Sequence, residues 1–257
     1  MAWTDFHYYS QKRGMQQIDA LMHFRIANLF YAKYGRRDAQ GQCGSGQHTN
    51  NRTTGGTASH GMTDTIGYDA AKAINPNVTN SLIDGLNPQY AWYTDKDDYG
   101  NATVRQVNNT CCLGYEDIFG NKYDMLDGVD IPNDSGNGGK WRIWMPDGTT
   151  RMVKGTTTSG WWITAVAHGK HMDVIPVGNV NGSFTTYYCD IFWYTGSTGR
   201  VVYRGYYNAN ANGGVSNASA SSDASSAYAN VGSRLAFRGK IVRAASVSAY
   251  KAIVAKA

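Results

Sequence analysis

Cys43, His48 and His60 share one polar stretch, DAQGQCGSGQHTNNRTTGGTASHG, and are residue types that ligate zinc. A closed zinc site takes four ligands, usually in closely spaced pairs, and this stretch offers neither the fourth ligand nor the pairing. No metal is expected there. His168 and His171, followed by Asp173, place bases and an acid around a turn. No nucleophile elbow of the GxSxG kind accompanies them, so local hydrogen bonding is the expected role. The acidic run DGVDIPND, Asp127 to Asp134, reads as a loop of oxygen ligands whose spacing departs from that of a calcium-binding EF-hand. No residue is assigned to catalysis, and neither a cofactor nor a metal is called for. Trp141, Trp144, Trp161, Trp162 and Trp193 alternate within strand-like runs and are expected in the core.

The pattern that remains suits recognition. Between Asn208 and Asn230 only Gly213, Gly214, Val215, Asp223 and Tyr228 are not Ala, Ser or Asn. Asn208, Asn210 and Asn212, then Asn217, Ser219 and Ser221, alternate with Ala209, Ala211, Ala218 and Ala220. A period of two puts the polar set on one face of extended chain and the alanines on the other. Runs of this composition are commonly flexible linkers. Here the lack of Pro, the single charge at Asp223 and the strand-like flanks favour a polar surface held on a fixed backbone. The candidate ligand-binding residues are Tyr206, Tyr207, Asn208, Asn210, Asn212, Asn217, Ser219, Ser221, Ser222, Asp223, Ser225, Ser226, Tyr228 and Asn230. Tyr206, Tyr207 and Tyr228 are the expected anchors, since aromatics dominate binding hot spots. One of the adjacent Tyr206 and Tyr207 must face inward.

The elements that would position these residues are short. The clearest helix is predicted from about Gln16 to Tyr34, where Ile18, Leu21, Met22, Arg25, Ile26, Leu29 and Phe30 trace one stripe and Gly35 supplies the stop. A long polar loop is expected from Gly35 to about His60, then a short helix from Asp64 or Thr65 to Ile74, ended by Pro76. Beyond Trp92 the signals are strand-like: Lys140–Met145, Thr149–Val153, Trp161–Ala167, Val174–Val177, Thr185–Tyr194, Val201–Tyr203 and Ser233–Val242, with turns at Pro146-Asp147-Gly148 and Asn181-Gly182. One or two early helices followed by many short strands indicate an α+β fold.

At 257 residues, the chain is long enough to bury a substantial core as one large domain or two small ones. Its 30 Gly, 18 Tyr and 7 Trp, with only 17% charged residues, suit a loop-rich fold rather than a helical bundle. The net charge of +5 is unevenly placed: Asp95 to Asp147 holds ten acids against five bases, while Gly232 to Ala257 holds six bases and no acid. Those bases are spaced among apolar residues as in half-buried strands, so nucleic acid is not an expected partner. Cys43, Cys111, Cys112 and Cys189 are too scattered for a disulfide framework. The N-terminus lacks the apolar core of a signal peptide, and no run approaches 18 apolar residues. A soluble, cytoplasmically made product without membrane insertion is expected.

Three stretches in order resemble the C-type lectin-like fold as used by formylglycine-generating-type domains. They are Leu113 to Gly128 (LGYEDIFGNKYDMLDG), Arg200 to Gly205 (RVVYRG) and Val231 to Gly239 (VGSRLAFRG), the last like the family's terminal GFR strand with Ser233 inserted. Oxidase members carry a copper-binding cysteine pair between the last two stretches, and this chain has no Cys after Cys189, so that activity is not expected. What fills the interval resembles the variable region of diversity-generating retroelement target proteins, such as phage tropism determinants. In those systems adenines are mutagenised, so Asn codons become Ser, Tyr or Asp, whereas Ala, Gly and Val codons persist. The alternation of Asn, Ser, Asp and Tyr with Ala209, Ala211, Gly213, Gly214, Val215, Ala218, Ala220 and Ala224 fits that rule.

The resemblance implies a single C-type lectin-like domain over residues 1–257, with a variable segment of about 206–230 between scaffold strands 200–205 and 231–242. It implies a non-enzymatic protein that displays a hypervariable surface to a host-cell receptor, protein or glycan, at a phage tail. Homotrimers at fibre tips, common among such tail proteins, would supply avidity. The alternatives are a bacterial surface-displayed or secreted binding protein of the same family, and a purely structural tail component.

Overall fold

Asp19 divides what the helical stripe had joined. Its backbone is extended (φ −106°, ψ 168°) and its side chain accepts the Met22 N–H at 2.8 Å, which satisfies one of the first orphan donors of a helix. The helix therefore begins at Ala20, not Gln16. It ends at Tyr34, where Gly35 adopts φ 62° and donates its N–H to the Tyr31 carbonyl at 3.0 Å. Gln16 and Gln17 belong to a strand whose partner, Leu235–Ala236, lies near the other end of the chain.

The structure is a computed structural model that describes residues 2–12, 14–43, 89–96, 102–109, 111–113, 115–116, 118–120, 122–132, 138–196, 199–207, 211–228, 230–237, 246 and 248. In chain order these form α1 (Trp3–Lys12), β1 (Gln16–Gln17), α2 (Ala20–Tyr34), α3 (Ala39–Cys43), β2 (Gln89–Lys96), β3 (Ala102–Asn109), β4 (Cys111–Cys112), β5 (Tyr115–Glu116), β6 (Tyr123–Ile131), β7 (Lys140–Trp144), β8 (Thr150–Lys154), β9 (Trp161–Val166), β10 (Pro176–Val180), β11 (Ile191–Tyr194), β12 (Arg200–Arg204), β13 (Ala218–Ser222), β14 (Val231–Gly232) and β15 (Leu235–Ala236). The helix expected at Asp64–Ile74 falls outside the described residues, as do His48 and His60.

The fold is α+β, mostly strand with few helices, and its main sheet curls into a half-barrel. Among the described residues that sheet has nine strands in the order β10-β9-β11-β13-β12-β6-β7-β8, with β14 beside β6. The pairs β11–β13 and β14–β6 are parallel and the others antiparallel. Hairpins β2–β3 and β4–β5 lie outside it.

Period-two alternation sorts the central strands onto two faces. Phe192, Val202, Leu126, Ala218 and Ala220 join the main core with Phe24, Ile26, Ala27 and Phe30 of α2. From the same strands Trp193, Val201, Tyr203, Tyr123 and Met125 build a second cluster, against which Trp3 and Phe6 of α1 pack. The alanines of β13, Ala218 and Ala220, are fully buried in the main core.

Several expected strands are displaced. Val174 and Ile175 are buried, but pairing begins at Pro176. Thr185–Cys189 form turns, with Tyr187 and Cys189 at φ 57° and 61°, so β11 starts only at Ile191. Of Ser233–Val242 only Leu235–Ala236 pairs within the described residues. The acidic run is not a loop up to Ile131. It forms the end of β6, where Arg142 grips Asp130 with two bonds (2.9 and 2.5 Å) and His7 meets Asp127 at 3.2 Å. Among the tryptophans whose burial is described, only Trp141 is fully buried. Trp144 and Trp161 are exposed on outer faces, which their alternation with buried neighbours dictates.

Candidate ligand-binding site

The second cluster leaves an opening of about 530 Å³ on the outer face of β12 and β13. Gly205 makes it possible. At φ 82° a Cβ there would lie 2.5 Å from the Ile118 carbonyl oxygen, so only glycine lets the end of β12 pass this loop. Tyr206 follows in the left-handed region at φ 65°, a conformation that strains a bulky residue. Its ring is buried and stacked on Trp193, with centroids 5.0 Å apart and planes 7° from parallel. Tyr123 stands edge-on to Tyr206 at 5.6 Å, and Tyr207 lies 4.6 Å from Tyr206 and 5.4 Å from Tyr123. Tyr123 and Tyr203 are 5.4 Å apart. These rings floor a bowl walled by Ser219, Ser221 and Ser222 of β13 and rimmed by Tyr228, Asn230 and Val231. Among the described residues, no charged side chain lines it.

The candidate residues divide by position. Tyr206, Tyr207, Ser219, Ser221, Ser222, Tyr228 and Asn230 line the bowl. Of these, Tyr206, Ser219 and Asn230 are buried, Tyr207, Ser221 and Ser222 are half-buried, and Tyr228 is 52% exposed. Thus Tyr206 is the inward member of its pair. Asn208 and Asn210 lie outside the described residues. Asp223, Ser225 and Ser226 form a turn beside the bowl, in which Asp223 accepts the Ser225 N–H and both serine hydroxyls. Those bonds, the Ser225 hydroxyl foremost, hold the Asp223 carboxyl below its ordinary pKa.

Asn217 departs from the expected display. It is fully buried, and its Nδ2 donates to the carbonyls of Ile191 (2.7 Å) and Asn212 (2.9 Å). Asn212 in turn is half-buried, with Nδ2 3.4 Å from the Tyr206 hydroxyl. The loop before β13 thus spends its amides on tying the chain down, because backbone carbonyls without ladder partners need donors.

Beneath this loop is a buried polar layer. The Ser216 N–H donates to Asp190 Oδ2 at 2.7 Å, and its hydroxyl meets the Tyr31 hydroxyl at 2.5 Å. Arg204 reaches the Val215 carbonyl (3.5 Å) and His23 Nδ1 (3.4 Å). Burial pushes the Asp190 carboxyl up to about 8, opposed by Ser216 and Arg204. Burial also brings Arg204 down to about 10, opposed by Tyr31 and Asp190. His23 is held well below its ordinary value by burial and then by Arg204 and Arg234, so it is neutral.

Tyr123, Trp193, Tyr203 and Val231 line the bowl without having been candidates. Alternation within their own strands was the available signal: Trp193 sits opposite Phe192 and Tyr203 opposite Val202 in facing. The His168, His171 and Asp173 group does not converge. Asp173 is engaged by Arg151, His168 lies 3.3 Å from the Tyr188 hydroxyl, and His171 is exposed. Cys43 is buried in α3, and among the described residues no three His, Cys, Asp or Glu side chains are grouped to hold a metal. No described helix is long and apolar enough to cross a membrane.

Among the described residues that line the bowl, aromatic rings and hydroxyls are present and no acid or histidine stands beside the serines. The class on this geometry is an α+β protein with an aromatic and hydroxyl-lined bowl. Comparisons with family models, with curated proteins and with solved structures give no match to this chain.

Proposed function

We propose that the chain is a non-enzymatic, receptor-binding protein of C-type lectin-like fold, whose bowl is the recognition surface and whose segment 206–230 is diversified by a retroelement. One observation carries this reading. Along β13 the residues whose identities can derive from Asn codons, Ser219, Ser221 and Ser222, line the bowl, while Ala218 and Ala220 alternate with them into the core. Side chains free to change are thereby separated from those that carry the fold. Tyr and Ser are also the residues that adaptable paratopes favour, since they give contact area and hydrogen bonds at low entropic cost. A phage tail tip is the proposed location, and a homotrimer would raise weak single-site binding by avidity.

Deep sequencing of codons 200–240 in the source population, with the rest of the gene as control, tests this. Variation confined to Asn-type codons between Tyr206 and Asn230, beside a reverse transcriptase and a template repeat, is the expected outcome. Uniformly low variation with no template would overturn it.

A further inference from the structure

The bowl's lining specifies a ligand chemistry more narrowly than "receptor". Resting on the reading of the bowl as the recognition site, we infer that it takes a neutral, hydroxyl-rich ring: a pyranose residue at the end or branch of a cell-surface polysaccharide.

The lining among the described residues is uncharged. An ionised ligand group would lose its water there without meeting a counter-charge, which disfavours sulfated, phosphorylated and sialylated ligands. The polar groups of the lining include the hydroxyls of Ser219, Ser221 and Ser222 and the amide of Asn230. Each hydroxyl donates and accepts at one atom, and the natural complement is a ligand whose polar groups are also hydroxyls. A purely apolar ligand would instead strip these hydroxyls of water and leave them unpaired. The Tyr203 hydroxyl also belongs to the lining, beside that of Ser222.

The remaining lining is aromatic. Trp193 and Tyr207 are half-buried and Tyr228 is exposed, so the bowl offers ring surface to a ligand with an apolar side. A pyranose has that form, with C–H groups on its face and hydroxyls at its edge. An extended peptide is less suited. It would need a free sheet edge, whereas β13 is paired on both sides, with β11 and with β12. At about 530 Å³ the bowl is in the range of small-molecule pockets and is concave where protein–protein contacts are broad.

The test is direct binding by the full chain. Saturation-transfer NMR and tryptophan fluorescence would be read against methyl glycosides of glucose, galactose, mannose, N-acetylglucosamine and N-acetylgalactosamine, and an array of immobilised neutral and anionic glycans would extend the search. At least one neutral glycoside or glycan should bind, with charged analogues weaker by tenfold or more. Tyr228→Ala, at an exposed site that leaves the fold intact, should weaken binding by roughly tenfold, as loss of an aromatic anchor does. Ser221→Arg, which puts bulk and charge into the bowl, should abolish it. The inference is overturned if no neutral glycan binds, if charged glycans are preferred, or if both variants bind like the wild type. Population variation at codons 207, 221, 222 and 228 without glycan binding would overturn the ligand class and leave the recognition surface standing. Glycan binding lost in both variants, with those codons invariant, would support the ligand class and sink diversification.

Discussion

Trp193 and Tyr206 stack within 7° of parallel although Tyr206 holds a backbone angle of φ 65°. The contact explains why a bulky residue occupies a left-handed position. Left-handed backbone costs an ordinary residue about 1–2 kcal/mol, and a buried aromatic that stacks returns more than that. The stack also fixes the floor of the bowl, because Tyr206 touches Tyr123 and Tyr207 as well.

Replacing this ring separates the two effects. Tyr206→Ala is expected to cost about 3 kcal/mol or more in denaturant unfolding, as core aromatic deletions do. Tyr206→Gly loses the same ring but relieves the left-handed backbone, so it should be more stable than the alanine variant by about 1 kcal/mol. Equal stabilities would show that the backbone at Tyr206 carries no strain.

Gly205 should tolerate no side chain. An alanine Cβ would stand 2.5 Å from the Ile118 carbonyl oxygen on a backbone at φ 82°. The clash is with main chain, which cannot rotate aside, so Gly205→Ala should cost roughly 3 kcal/mol or more. Thermal and urea unfolding of the variant measure this.

Asp190 makes stability depend on pH in an unusual sense. Its folded pKa of about 8 stands above the ordinary 3.8, so between those values the unfolded chain is ionised and the folded chain is not. Unfolding then releases a proton, and stability falls as pH rises through that window, by at most about 1.4 kcal/mol per pH unit. His23 acts in the opposite sense: its folded pKa lies below the ordinary 6.5, so its contribution is lost as pH falls below 6.5. Asp190→Asn isolates the first effect. The variant should gain stability over the wild type steadily from pH 4 to 8 and then level off. A pH-independent difference in urea midpoints would rule this out.

Asn217 and Tyr228 should behave oppositely although both belong to the same polar segment. Asn217→Ala strips the Ile191 and Asn212 carbonyls of their donor in a buried setting and should cost about 2 kcal/mol. Tyr228→Ala, half exposed at the rim, should change stability by no more than about 0.5 kcal/mol. If the segment is diversified, codon 217 should stay fixed among folded proteins while codons 221, 222 and 228 vary. Free variation at 217 would contradict the structural role assigned to its amide.

Some of this was written in short stretches of sequence. Gly35 as the end of α2, the turn at Pro146-Asp147-Gly148 and the opposite facing of Ala and Ser in 218–222 follow from local backbone geometry. Asp19 was a readable cap as well, though the apolar stripe running through Ile18 masked it. The seven bowl residues within the segment could be proposed because alternation is a property of a few consecutive residues.

Tertiary structure alone decided the rest. Gln16 and Gln17 became strand because Leu235 and Ala236 arrive beside them, and DGVDI became strand because β7 and β12 pair with it. Tyr123 and Trp193 entered the bowl because β6 and β11 reach the same face as β12 and β13. Asn217 turned inward because loop carbonyls needed its amide. A residue's type sets which side of its own strand it faces, since successive side chains must alternate. Which strands lie next to one another depends on pairings between distant segments, and no local run of residues encodes those.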